Sequence, residues 1–391
     1  MKCRDPRSSV ASTPVPLLDV QRQNNPIRPE IDAAISRVCD SGAFVHGPAC
    51  RELEAAVAEY CGTEHAVGCA SGSDALLLAL VALDIGAGDE VLLPSFTFFA
   101  TAGAVWRVGA KPVFVDIEPE TFNLCPRDAA AKITPRTKAI LAVHLFGQCA
   151  DMAAIGELAV RHNLEVIEDA AQAIGAEHLG RRAGSLGTLG CLSFYPTKNL
   201  GGFGDGGMIT TSDATLADRL RILRDHGQNP RYVHRVVGVN SRLDTMQAAV
   251  LSVKLPQLDD WAAARERNAA RYAELFADVG FDGQIVLPTI ASGRRSVWNQ
   301  YTIRVPDGRR DALREHLAAQ KIGSAIYYPI PLHRQHCFAP LGYPQGSLPE
   351  TERAAEEVLS LPIFPELTKQ EQQTVVTSIE EFFAIAKTQA A

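Results

Sequence analysis

Residues 152–172 read MAAIGELAVRHNLEVIEDAAQ. The first part, Met152–His162, reads as a helix, and Glu165–Glu168 reads as a short strand at whose carboxyl end two acids, Glu168 and Asp169, emerge. The same alternation extends in both directions. Strand-like runs occur at Ala66–Cys69, Glu90–Pro94, Pro112–Asp116, Ala139–His144, Cys191–Phe194 and Gly207–Thr210, with helical stretches at Asp74–Leu83 and Phe98–Val108. Strands separated by helices imply βαβ units, and hence an α/β fold with a mostly parallel sheet covered on both faces. In such open sheets ligands sit beyond the carboxyl ends of the strands, so the loops after the strands are the places to look for chemistry.

On the N-terminal side, an apolar spacing of three to four (Ile31, Ile35, Val38) predicts a helix over Pro29–Ser41, and Leu53 and Val57 mark a second over Arg51–Tyr60. Residues 1–16 are polar and contain Pro and Ser, and read as a loose arm. On the C-terminal side a helix over Ser241–Leu255 is interrupted by Pro256, and a long helix, Asp259–Val279, leads into a second domain. That domain is expected to hold strands at Gln300–Val305 and Ser324–Tyr328, covered by helices at Arg310–Gln320 and Gln370–Ala386. With 391 residues the chain is long for one hydrophobic core. The expected division is an arm (1–16), a three-layer large domain (17–258) and a smaller C-terminal α+β domain (259–391).

The formal net charge is -7 and no Lys/Arg run stands out, which argues against a nucleic-acid partner. The nine cysteines are odd in number and lack a C-x-x-C pair, so reduced thiols are expected, with no disulfide framework and no metal site. No apolar h-region follows Met1, and no apolar run reaches the roughly 18 residues of a spanning helix, so a cytoplasmic protein without a membrane partner is expected.

Three segments can carry chemistry. Glu168-Asp169-Ala170-Ala171-Gln172 places acids at a strand's carboxyl end, although two acids also suit an ordinary helix N-terminus. Ser193-Phe194-Tyr195-Pro196-Thr197-Lys198 is followed by the glycine-rich run 201–207, which lets backbone and ligand approach closely. A Lys in such a pocket is a candidate Schiff-base former; on a surface loop it would be inert. Cys69-Ala70-Ser71-Gly72-Ser73-Asp74 runs from a strand end into an apolar helix, which is either a plain N-cap or a phosphate site.

In order and spacing, these segments resemble the sugar aminotransferases of the DegT/DnrJ/EryC/StrS type, within the fold-type I pyridoxal-phosphate (PLP) enzymes. The resemblance runs from about Leu17 to the last helix, and also rests on Pro94-Ser95-Phe96-Thr97-Phe98 and Gly238-Val239-Asn240-Ser241-Arg242. It implies that Lys198 bonds PLP and shuttles a proton, and that Asp169 pairs with the pyridine nitrogen, which should depress the Asp169 pKa. It places Gln172 near the phenolic oxygen and Phe98 on the ring face, with a core Phe as the competing reading of Phe98. It assigns the phosphate to Gly72, Ser73, Asp74 and Ser193, with Asn240 reaching in from the partner of a homodimer. Arg242 is matched to an anionic part of the substrate, and Tyr328 and His333 to the sugar nucleotide; a salt-bridged Arg, a packed Tyr and a surface His compete with these.

The activity implied is transfer of the amino group of L-glutamate to a keto sugar linked to a nucleotide, at C3. A UDP-linked 2-acetamido-3-oxo-glucuronate is favoured over a dTDP-linked 3-keto-6-deoxyhexose. A PLP-dependent sugar dehydratase is disfavoured because such relatives carry His in place of Lys198. A non-catalytic regulator on the same fold is disfavoured by intact Lys198 and Asp169.

Overall fold

The structure, a computed structural model, describes residues 14–281 and 283–390, so most of the expected arm lies outside the described residues. Seven strands form the central sheet: β1 (His65–Cys69), β2 (Glu90–Pro94), β3 (Lys111–Val115), β4 (Thr137–Val143), β5 (Glu165–Asp169), β6 (Leu189–Ser193) and β7 (Gly207–Thr211). Their order is β1-β7-β6-β5-β4-β2-β3. The pairings β3–β2, β2–β4, β4–β5 and β5–β6 are parallel, and β7 runs antiparallel between β6 and β1. The sheet is mostly parallel, as expected, with one reversed strand.

Successive residues on a strand face opposite sides, and here both sides are apolar. Val91, Leu93, Leu141 and Ile167 pack with helices Gly72–Ala82 and Phe99–Arg107. Leu92, Ile140, Ala142 and Val166 pack with helix Met152–His162. This produces three layers, and it explains why the strands read as continuous apolar runs. Helix Gly72–Ala82 is apolar on nearly every side because it is enclosed, with Ala75, Leu76, Leu78, Ala79, Leu80 and Ala82 all buried. The period-two rule also separates the two acids that end β5: Glu168 faces one layer and Asp169 the other.

The C-terminal part holds a two-stranded antiparallel sheet, β8 (Tyr301–Arg304) with β9 (Val358–Leu361), covered by helices Leu258–Val279, Arg310–Ala319 and Lys369–Ala390. The strand expected at Ser324–Tyr328 does not form. Only Ala325 bridges Ser360, after which the chain leaves the sheet; Pro329 and Pro331 have no N–H to continue a ladder. At the N-terminal end of the described residues, Val15 is buried and pairs with Ile322. Helix Ala214–Leu223, unread in the sequence, packs Ala217, Leu220 and Leu223 into the main core. Among the described residues no helix is long and apolar enough to cross a membrane, and the eight described cysteines are free.

Candidate active site

The carboxyl ends of β1, β5 and β6 open into one cleft of about 510 Å³, roofed by Tyr327 and Tyr328. Eight residues expected from the sequence line it: Gly72, Ser73, Phe98, Asp169, Gln172, Ser193, Lys198 and Tyr328.

One end of the cleft is built to hold an anion. Ser71 caps helix Gly72–Ala82, its Oγ accepting from the Asp74 N–H at 3.1 Å. The N–H groups of Gly72 and Ser73, in the first turn, have no acceptor within the helix, and they lie at the positive end of its dipole. Ser193 stands opposite. A Cβ on Gly72 would lie 2.6 Å from the Ser193 Cβ, so only glycine lets the helix start and β6 approach this closely. Asp74 faces away from the cleft: its amide is taken by Ser71 and its carboxylate accepts from Ser241 Oγ at 2.8 Å. It therefore secures the helix start and leaves the anion to its neighbours. Gly72→Ala should force the two elements apart, at a cost of about 1–3 kcal/mol. A titration with PLP should show weaker binding, and unchanged affinity would contradict this account of the cradle.

At the other end, Asp169 is 6% exposed. Its Oδ2 accepts from Thr101 Oγ1 at 2.8 Å and its Oδ1 from the Ala171 N–H at 3.3 Å. Burial holds its carboxyl above the usual range, while Thr101, Ala171 and the Lys198 charge pull it down. This is opposite to the depression expected from the sequence. That expectation needs a cation against the carboxylate, and the protein alone supplies mainly desolvation. Burial likewise pushes the Lys198 ammonium below its usual value, against the attraction of Asp169, which makes the nucleophilic amine easier to reach. The neighbouring acid, Glu168, is structural: its carboxylate accepts from Gly184, Leu186 and Gly187 amides and pairs with His144 at 2.8 Å.

Gln172 is held at both ends of its amide. Its Oε1 accepts from the Phe146 N–H at 2.7 Å and its Nε2 donates to Tyr328 Oη at 3.2 Å, which seats the tyrosine in the cleft. Phe98 is 56% exposed with its ring 6.1 Å from that of Tyr328, whereas Phe96 is 1% exposed. The core reading thus belongs to Phe96, and Phe98 presents a free face.

Three expected residues lie elsewhere in this chain. His333 is buried outside the cleft. The Ser95 hydroxyl donates to its Nδ1 at 2.7 Å and its Nε2 donates to Glu352 at 3.1 Å, so both ring nitrogens are engaged. Together with the Leu332 N–H on the Ser95 carbonyl, it fastens the Tyr328 segment to the end of β2. It is neither a surface His nor a group in contact with the cleft. Arg242 Nη1 donates to Asp225 at 2.7 Å, the salt-bridged alternative. Asn240 is exposed and lies outside the cleft.

Thr97, Tyr195, Asp205, Gln300 and Tyr327 also line the cleft without having been singled out in the sequence, and Thr101 reaches Asp169 from behind. Their residue types are ordinary; only the fold brings them together.

Taken together, the cleft offers an anion cradle, a buried carboxylate, an exposed aromatic face and an amine whose charged form is disfavoured by desolvation. A sequence profile of the DegT/DnrJ/EryC1/StrS aminotransferase family matches residues 25–380. The chain belongs to this family. A relative from Geobacillus stearothermophilus, named a pleiotropic regulatory protein, is 52% identical over 94% of this chain and 98% of its own. The UDP-N-acetyl-3-dehydro-alpha-D-glucosamine 3-aminotransferase of Acidithiobacillus ferrooxidans is 49% identical, with the same coverage. The crystal structure of S. venezuelae DesV in complex with a ketimine intermediate superposes with a TM-score of 0.90, at 47% identity over 94% of this chain and 98% of DesV. The family's fold is that of the fold-type I enzymes, its cofactor is PLP, and this chain is an aminotransferase. The residues present fit that cofactor: Gly72, Ser73 and Ser193 for the phosphate, Asp169 for the ring nitrogen, Phe98 for the ring face and Lys198 for the aldehyde carbon.

Proposed function

We propose that the enzyme moves the amino group of L-glutamate onto the C3 ketone of a nucleotide-linked sugar. The observation that carries this reading is the convergence of the Lys198 amine and the Asp169 carboxylate on one cleft, behind an anion cradle built from Gly72 and Ser73. The 49% identity to an enzyme named for a 3-dehydro sugar supports the position of amination.

When bound, PLP supplies an electron sink for the carbon that loses its proton. The protein does the rest. Lys198 Nζ, whose ammonium is weakened by desolvation, takes a proton at the reacting carbon and returns it on the other side of the transfer. Asp169 holds the charge opposite the ring nitrogen. Gln172 and Tyr328 fix the cleft wall through their shared hydrogen bond. The open remainder of the cleft, beside Tyr195 and Tyr327, leaves room for the sugar.

We assign Asn240 and Arg242 to the cleft of a partner subunit in a homodimer. This is supported by the exposure of Asn240, by the absence of both residues from the cleft of their own chain, and by the exposed apolar residues Tyr232, Val233 and Val237 just before them; Arg242, half-buried and paired with Asp225, would have to give up that pair to reach a substrate. Within one chain, Lys198 is the only basic residue lining the cleft among the described residues, so a sugar acid would depend on the partner's Arg242 for its carboxylate.

The regulator reading is disfavoured because Lys198 and Asp169 are both present and line one cleft, and the dehydratase reading because position 198 is Lys. The test is to incubate the purified holoenzyme with L-glutamate, then with 3-keto and 4-keto sugar nucleotides of both bases. The expected result is one 2-oxoglutarate per site without sugar, and continuous turnover with a 3-keto sugar alone. Absence of 2-oxoglutarate, or turnover with a 4-keto sugar only, would overturn the proposal.

A further inference from the structure

The helix that begins at Phe99 supplies more than an aromatic face. Phe98 is its N-cap, Thr97 precedes the cap, and Thr101 lies in its first turn. Thr101 is fully buried, and its hydroxyl is 2.8 Å from Asp169 Oδ2. A threonine has one O–H, and an ionised carboxylate can only accept. The Thr101 hydroxyl is therefore the donor and Asp169 Oδ2 the acceptor. The Thr97–Thr101 contact, 3.2 Å between hydroxyl oxygens, must then run from Thr97 as donor to Thr101 as acceptor. Thr97 in turn lines the cleft. The result is a directed chain, Thr97 to Thr101 to Asp169, entering the carboxylate on the oxygen that the Ala171 amide does not serve.

We propose that Thr101 is a positioning residue for the cofactor: through its hydrogen bond it steadies the charged form of Asp169 and keeps the carboxylate turned towards the ring nitrogen. The inference rests on the reading of Asp169 as the partner of that nitrogen. Desolvation works against an ionised carboxylate at this depth, and among the described residues the other hydrogen bond to the Asp169 carboxylate is the longer one from Ala171. A charge-assisted hydrogen bond from a buried hydroxyl is the kind of contact that offsets part of that penalty. The single turn Thr97–Thr101 thus sets both the ring-facing Phe98 and the ionisation of the group opposite the ring nitrogen.

The test uses the full-length protein with PLP removed and added back. Thr101→Val keeps the shape and removes the donor, Thr101→Ser keeps the donor and removes a methyl group, and Thr101→Ala serves the same comparison should the valine variant fail to fold. Two quantities are read: the PLP dissociation constant from an absorbance titration, and the pH midpoint of the visible band of bound PLP. Thr101→Val is expected to bind PLP about tenfold more weakly or worse and to shift the midpoint, while Thr101→Ser stays close to the parent on both. If Thr101→Val matches the parent within twofold on both readings, or if Val and Ser lose affinity equally, the inference is wrong and Thr101 only packs. Failure of the parent protein itself to bind PLP would instead overturn the reading of Asp169 and the cofactor site.

Discussion

Lys198→Ala is expected to lower transamination by about 10⁴-fold or more, the range in which positioned proton transfer contributes to catalysis, with loss of the covalent attachment added to it. The argument is chemical and local. Arginine cannot form an imine, and the described residues give the cleft no second lysine. The Lys198 amine sits where burial favours its neutral form and Asp169 is the one charge drawing it back. Removing it leaves the cradle of Gly72, Ser73 and Ser193 intact, so PLP should still bind, but reversibly. Steady-state assays with glutamate and the keto sugar, alongside dialysis of bound PLP, separate the two effects. Near-parental turnover in Lys198→Ala would sink the assignment.

The second large effect is expected at Asp169. Asp169→Asn keeps size and hydrogen-bonding capacity but removes the charge opposite the ring nitrogen. Loss of one pre-organised electrostatic partner typically costs about 10²–10³-fold in kcat. Stability should move the other way. The folded protein without cofactor binds the Asp169 proton more tightly than the unfolded chain does, because burial raises its pKa. The unfolded chain therefore releases that proton first as pH rises, and the folded state loses stability between the ordinary carboxylate range and the raised value, remaining penalised above it. At neutral pH cofactor-free Asp169→Asn should melt at a higher temperature than the parent, and the difference should shrink in acid. A variant that is both fully active and no more stable would show that Asp169 carries no cofactor-directed charge.

Much of this site was legible in the sequence because its residues sit at strand ends that the apolar pattern marks. Asp169 closes β5, Ser193 closes β6 with Lys198 just beyond, and Gly72 opens the helix after β1. What could not be read was side-chain direction across the fold. Nothing in Glu168-Asp169 says which acid faces the cleft until the period-two pleat places one on each layer. Asp74 looked like part of the cradle, but Ser71 and Ser241 take its polar groups.

The apolar run at Ser324–Tyr328 looked like a strand because Ile326, Tyr327 and Tyr328 are apolar for a different reason: they pack under the main core and roof the cleft. The true partner of β8 was β9, 54 residues after it in the chain, counting from Arg304 to Val358. His333, within a motif resembling a sugar-binding segment, turned out to be a buried latch between Ser95 and Glu352. Thr101 carried no signal at all, since its role depends on a carboxylate 68 positions away.

Among the described residues, two lysines, Lys198 and Lys254, are shifted by desolvation towards their neutral form. Lys254, fully buried beneath the glycine-rich loop, donates to the Gly201 carbonyl at 2.6 Å and is pushed down to about 8. Only Lys198 opens to the cleft. Reduction of the PLP-loaded protein with borohydride, followed by peptide mass spectrometry, distinguishes them directly. The account predicts a pyridoxyl adduct on the peptide containing Lys198 and on no other; an adduct on Lys254, or none on Lys198, would contradict it.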